Sequence, residues 1–351
     1  MKKPLLLLTL LAATTVAQAV DTAYTAPVGG TQITFSQGSR FTGMSFLNSA
    51  IARGTVTNTS GSLLTVSAGV TNFGSLLTST SAYYVELVAG PTSTYVGDRF
   101  EVDVAGTIAS ANGTVSINLA SPNNTMGSLP STSDLNSYTA VLRPHVTLGQ
   151  LFGTKTNQLM QGSTVVSTAD QVLLLNSQTQ AFETYYFLKN GSGTVAQWAK
   201  VGGGSTNQDN TVIAPGVGMV VVRNTSTPVT LTWSGEIRLN QFAQPLVAGN
   251  NLVCQPTPID ASPASRSMTV ANGMTGSTSS TTADKIQFPV AGVFKTYYLL
   301  RNASGTVEQW TLVGGGSTPQ NTAMLFPSNG AVIINKISAD ANNLVPYTLS
   351  L

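Results

Sequence analysis

Thr184-Tyr185-Tyr186-Phe187-Leu188-Lys189-Asn190 returns 112 residues later as Thr296-Tyr297-Tyr298-Leu299-Leu300-Arg301-Asn302. Gly193-Thr194-Val195-Ala196-Gln197-Trp198 returns as Gly305-Thr306-Val307-Glu308-Gln309-Trp310, and the triple glycine at 202 returns at 314. More than half the positions from Thr184 to Val222 are identical in the copy. Upstream, Ala169-Asp170-Gln171-Val172 matches Ala283-Asp284-Lys285-Ile286 at an offset of 114, so a two-residue indel lies between. A repeat this long is no solenoid unit, whose period is about 20–45 residues. It fits two tandem β-sandwich-sized modules, placed at 146–250 and 251–351. Residues 20–145 carry no clear copy and are expected to form a separate N-terminal β-domain.

The local pattern is all-β. Runs rich in Val, Ile, Thr, Tyr and Phe, such as Arg99 to Val104, Val217 to Arg223 and Val229 to Trp233, alternate with Gly, Asn, Ser and Pro clusters. Asn190-Gly191-Ser192-Gly193 and Asn302-Ala303-Ser304-Gly305 supply turn chemistry between strands. Helical periodicity is almost absent.

Residues 1–19 read as a signal peptide. Lys2 and Lys3 precede a short leucine-rich run, too short to span a bilayer, and Ala17-Gln18-Ala19 is a small-x-small cleavage site. Export is therefore expected, with a mature chain from Val20 that is secreted, periplasmic or on the outer cell surface. The whole chain holds 16 Lys+Arg and 14 Asp+Glu. Removing Lys2 and Lys3 brings the side-chain charge to about zero, which gives no basis for a nucleic-acid partner. No later segment is apolar for long enough to predict a transmembrane helix.

The residue inventory limits the chemistry. One Cys and one His exclude a disulfide scaffold, a Cys-ligated zinc site and any site needing two imidazoles. Neither a metal nor a cofactor is expected. Cys254 reads as a small buried hydrophobe, and His145, beside Pro144, as a structural corner. Glu101 and Asp103 would share one face of a strand, most simply a solvated one. The triple glycines lack the helix start and Lys-Ser/Thr of a phosphate loop. Two sets remain. Asp170 and Asp284 are duplicated by the repeat and, with Asp21, are the candidates for an aspartic-type carboxylate pair. Trp198, Trp310, Tyr186 and Tyr298 recur at equivalent places. They could stack on sugar rings or simply be the core aromatics of two like modules.

Several further markers run along the chain in order. They are Tyr83-Tyr84-Val85-Glu86-Leu87, the stretch Arg143-Pro144-His145-Val146-Thr147-Leu148-Gly149-Gln150-Leu151-Phe152-Gly153, then Pro215-Gly216-Val217-Gly218 and Asn251-Leu252-Val253. With the Ala169 and Thr184 motifs, they resemble an uncharacterised family of exported β-rich proteins from Verrucomicrobia-type bacteria. The resemblance implies a cell-envelope or secreted location and no reaction. The chain departs from it at Cys254-Gln255-Pro256.

The leading expectation is thus a non-enzymatic secreted or cell-surface β-protein with a structural, adhesive or glycan-binding role, partnered by extracellular glycans or glycoproteins. Self-association through strand edges is a further expectation. One alternative is a secreted aspartic-type peptidase acting on glycoproteins such as mucin. Another is an outer-membrane β-barrel, suggested by the alternation of Val345, Tyr347, Leu349 and Leu351.

Overall fold

The computed structural model describes residues 27–67, 73–111, 113–290 and 293–338. The expected signal peptide, Asp21 and the C-terminal alternation all lie outside the described residues. The protein is all-β, with antiparallel pairing throughout its named strands.

The chain begins with β1 (Val28–Phe35), β2 (Gly38–Gly43) and β3 (Phe46–Leu47). A six-stranded sheet follows, made of β4 (Ala52–Ser60), β5 (Leu63–Ser67), β6 (Tyr83–Ala89), β7 (Arg99–Glu101), β8 (Thr114–Ser116) and β9 (Thr139–Pro144). Its order is β7-β6-β9-β4-β5-β8. Two short helices, α1 (Val104–Ala109) and α2 (Thr132–Leu135), belong to this unit. Its core includes Val56, Leu64, Leu87, Phe100 and Leu135, all fully buried. The run expected as strand through Val104 stops early, because Asp103 caps α1 by accepting from the Gly106 N–H at 3.1 Å.

Next come β10 (Val146–Thr147), α3 (Leu148–Phe152), β11 (Gln171–Asn176), β12 (Ala181–Lys189), β13 (Ala196–Lys200), β14 (Val212–Ile213), β15 (Gly218–Arg223) and β16 (Val229–Ile237). The last third holds β17 (Gly249–Cys254), β18 (Lys285–Val290), β19 (Val293–Arg301), β20 (Glu308–Leu312) and β21 (Ala331–Lys336).

Two five-stranded sheets share one strand order. The first runs β13-β12-β11-β15-β2, and the second runs β20-β19-β18-β21-β17. The repeated residues keep their register: Phe187 faces Trp198 in the first sheet, and Leu299 faces Trp310 in the second. The fifth strand is the exception. β17 lies near its sheet in sequence, whereas β2 reaches its place from before the six-stranded unit.

This pairing moves the boundaries read from the sequence. Residues 28–47 do not belong with 52–144. β1 pairs with β16 over eight positions, β3 extends the same small sheet, and β2 pairs with β15 over six. The physical reason is burial: Ile33 and Phe35 point inward on β1 and join Leu231 and Trp233 of β16 in one core. The six-stranded unit is thus inserted between the edge strand of the first five-stranded sheet and the rest of it.

The three-stranded sheet and α3 cover one face of the first five-stranded sheet. Phe152 of α3 meets Trp198 at 5.9 Å and Trp233 at 5.6 Å between ring centres. On the second sheet, the irregular segment around Met268 and Met274 and the stretch around Leu325 and Phe326 cover Trp310. The remaining faces of the two five-stranded sheets pack on each other through Val220, Leu252, Cys254 and Ala331. Phe41 meets Phe294 edge-on across this contact, at 5.3 Å.

Candidate functional site

The three units meet at a buried polar cluster, unusual in a chain with only 9% charged residues. Arg143 of β9 is ion-paired to Glu236 of β16 and donates to the Asn48 carbonyl at 2.8 Å. Glu86 of β6 is ion-paired to Arg238, just past β16, and accepts from Asn240 at 2.8 Å. His145 bonds Glu101 through Nε2 at 2.8 Å and packs at a tilt against Tyr84, with ring centres 4.7 Å apart. His145 is therefore a corner between the inserted unit and the strands that follow it.

Arg99 stands apart in this cluster. Gly97 sits at φ +94°, and a Cβ there would fall 2.5 Å from the Gln241 carbonyl. Only glycine lets the start of β7 press so closely on the segment after β16. That approach lays Arg99 on the ring of Phe242, at 4.2 Å, while Arg238 lies over the same ring at 4.6 Å. Arg99 is 4% exposed, and its Nη1 is buried without a hydrogen-bond partner. No described residue forms an ion pair with it. Burial lowers its pKa to about 10, so it stays cationic at neutral pH.

Arg99 forms part of the wall of a cleft of about 190 Å³ between the inserted unit, the first five-stranded sheet and β17. Leu174, Leu175, Val217 and Leu252 give it an apolar floor; Asn123 and Gln244 add amides. The Gln244 Oε1 is buried and unsatisfied. A second hollow of about 170 Å³ shares Asn123, Leu174 and Leu175 and continues to Asn176, Gln178 and Glu183. Glu183 is held by Lys200 at 3.0 Å and by the Tyr185 hydroxyl at 2.9 Å. These contacts keep its carboxyl below the usual carboxylate range against the opposing effect of burial, the largest single influence. The arrangement offers one cation, neutral hydrogen-bonding groups and an apolar floor, as small-ligand sites at domain junctions do.

The carboxylates expected to pair do not meet. Asp170 and Asp284 are both fully buried, and each is locked into its own sheet. Asp170 is ion-paired to Arg223 and accepts the N–H groups of Gln161 and Asn224 at 2.7 and 2.9 Å. Asp284 is bonded to Lys336 at 2.7 Å and accepts from Thr275 and Ile337, both at 2.7 Å. The duplication preserves a peg that ties the start of β11 or β18 to the end of β15 or β21. Asp21 lies outside the described residues.

The recurring tryptophans are core residues. Trp198 is fully buried and donates to the Gly153 carbonyl at 3.0 Å; Trp310 is 2% exposed and donates to Met268 at 2.9 Å. Neither presents a face to a sugar. Tyr186 and Tyr298 are half-buried, on the sheet faces opposite their buried neighbours Tyr185 and Tyr297. Among the described residues, no group of three or more His, Cys, Asp or Glu could hold a metal ion, and no helix is long and apolar enough to cross a membrane.

The cleft residues carry no sequence signal. Arg99 sits in an ordinary strand run, and Asn123 and Gln244 lie in unpatterned loops. Only the cluster of charge at Asp98, Arg99, Glu101 and Asp103 in a charge-poor chain could have drawn attention to them. Comparison with protein families, curated proteins and solved structures found no match to this chain.

Proposed function

We propose that this is a secreted or cell-surface β-protein with a structural, adhesive or glycan-binding role, non-enzymatic, and that the three-unit cleft is where it recognises its partner. One observation carries the reading: the cleft combines an apolar floor with neutral amides at a junction of three units, while Asp170 and Asp284 are sealed in ion pairs. Pyranose rings present apolar C–H faces and many hydroxyls, which suits such walls. The signal-like N-terminus and a surface rich in Ser, Thr and Asn fit extracellular glycans or glycoproteins as partners.

The test uses the mature chain from Val20 and beads carrying mucin-type glycans. Retention is expected. Asn123→Trp, at a half-buried loop position common to both hollows, should abolish it by filling the space. Failure to be retained on any glycan, or retention unchanged in the tryptophan variant, would remove the cleft from this role. Incubation with a mucin-type glycoprotein, followed by mass spectrometry, is expected to release no fragments. New peptides would revive a peptidase.

A further inference from the structure

We infer that the cleft takes a carboxylated sugar, a uronic acid or another carboxyl-bearing monosaccharide residue, with its carboxylate on Arg99. The inference rests on reading the cleft as a glycan site and names the sugar class that site prefers.

The argument starts from charge balance in the interior. Arg143, Arg238, Arg223 and Lys336 are all buried, and each has a carboxylate partner within the protein. Arg99 is equally buried and has none. Its neighbours in sequence act on it only through space: Glu101 is engaged by His145, and Asp98, itself buried, makes no ion pair with it among the described residues. Holding a guanidinium out of water without a hydrogen-bonded carboxylate is costly, even with charge nearby. The ring of Phe242 offsets part of this. An anion entering the cleft would offset much more.

The chemistry of the group narrows the anion. A guanidinium is a planar fork that matches a carboxylate with two parallel hydrogen bonds. The rest of the lining is neutral, and Asn123 offers an amide to a hydroxyl. Leu174, Leu175 and Leu252 face the apolar side of a ring. At about 190 Å³ the cleft lies below the roughly 300–1,000 Å³ of pockets for drug-sized ligands, a scale that suits one sugar residue. The hollow that continues from it ends at Glu183. A carboxylate there repels a second acid, so an extended chain would place its acidic residue at the Arg99 end and neutral residues beyond.

The experiment is calorimetric titration of the mature chain with glucuronic acid, glucose, acetate and inorganic phosphate. Glucuronic acid is expected to bind at least about tenfold more tightly than glucose, the scale of one charge-assisted hydrogen bond. Acetate and phosphate should bind more weakly than glucuronic acid. Arg99→Met should remove the preference for the acid over glucose. Equal binding of acid and neutral sugar overturns this inference and leaves the glycan site standing; binding of no sugar overturns both. Phosphate binding as tight as glucuronic acid makes the cleft a general anion site and overturns the sugar assignment. Should the methionine variant fail to fold, Asn123→Trp keeps the test alive: it retains Arg99 and must still abolish glucuronic acid binding.

Discussion

Gly43, at the end of β2, lies directly on Cys254, at the end of β17. A Cβ on Gly43 would fall 2.0 Å from the Cys254 Cβ. The two residues hold corresponding places: Gly43 pairs with Gly218 on β15, and Cys254 pairs with Ala331 on β21. Gly218 in turn approaches Ala331, where a Cβ would sit 2.5 Å away. The two five-stranded sheets therefore touch through small residues at the same end of like strands. Gly43→Ala should destabilise the protein by about 1–3 kcal/mol or more through overpacking. A fall of several degrees in thermal midpoint is expected. Cys254→Gly in the same chain should restore part of the loss, because the two changes act at one contact. An unchanged midpoint in Gly43→Ala would mean that the sheets do not pack face to face here.

The repeat made two like sheets legible, because Tyr185, Phe187 and Trp198 and their copies recur with their turns intact. It did not show that β2 completes the first of them. β2 and β17 have little sequence in common, and the whole inserted unit separates β2 from β11. Long-range strand pairing leaves no local trace, since register is set by which side chains find a core. The role of the tryptophans was ambiguous for a related reason. Alternation shows that residues share a face, and says nothing of what covers that face. Asp170 and Asp284 looked like a catalytic pair because duplication also preserves structural pegs. Arg99 was illegible because its significance lies in lacking a partner, which only tertiary structure can reveal.

The peg itself can be tested at Asp170. Asp170→Asn leaves Arg223 buried without its counter-ion, and breaking such a pair costs about 3–5 kcal/mol. Asp284→Asn should do the same through Lys336. Replacing Asp170 and Arg223 together by apolar residues of similar size should recover only part of the loss, because the Gln161 and Asn224 N–H groups lose their acceptor. Urea unfolding followed by circular dichroism measures each step. A single Asp170→Asn variant as stable as the parent would rule out the peg.

Asp98 gives the protein a pH dependence of its own. Its carboxyl is 1% exposed, and burial pushes its pKa from about 3.8 up to about 6, against smaller opposing effects of Thr125 and Arg99. A raised carboxyl pKa means that the folded protein holds a proton that the unfolded chain has released. Stability from this group is fully present below about pH 4 and is lost as pH rises through about 6. The loss is at most about 3 kcal/mol. Asp98→Asn should therefore raise stability at pH 8 and change it little at pH 4. The check is the urea midpoint of both proteins at the two pH values. Equal differences at both would show that the Asp98 carboxyl does not titrate in this window.

Cys254 reports on the contact between the sheets. Its thiol is 1% exposed, its Sγ lies 3.6 Å from the Met44 carbonyl, and burial pushes its pKa up to about 12. The thiolate is the reactive form, so the native protein holds almost none of it at neutral pH and gives a reagent no path to it. A chromogenic disulfide reagent should leave the folded protein unmodified and release one equivalent of product once denaturant is added. The same reagent at sub-denaturing urea should react at a rate set by opening of the β2–β17 contact. Gly43→Ala should raise that rate, since it strains the contact that shields the sulfur. Immediate reaction of the native parent would show that the two sheets do not cover Cys254, and would remove the common basis of this prediction and the one at Gly43.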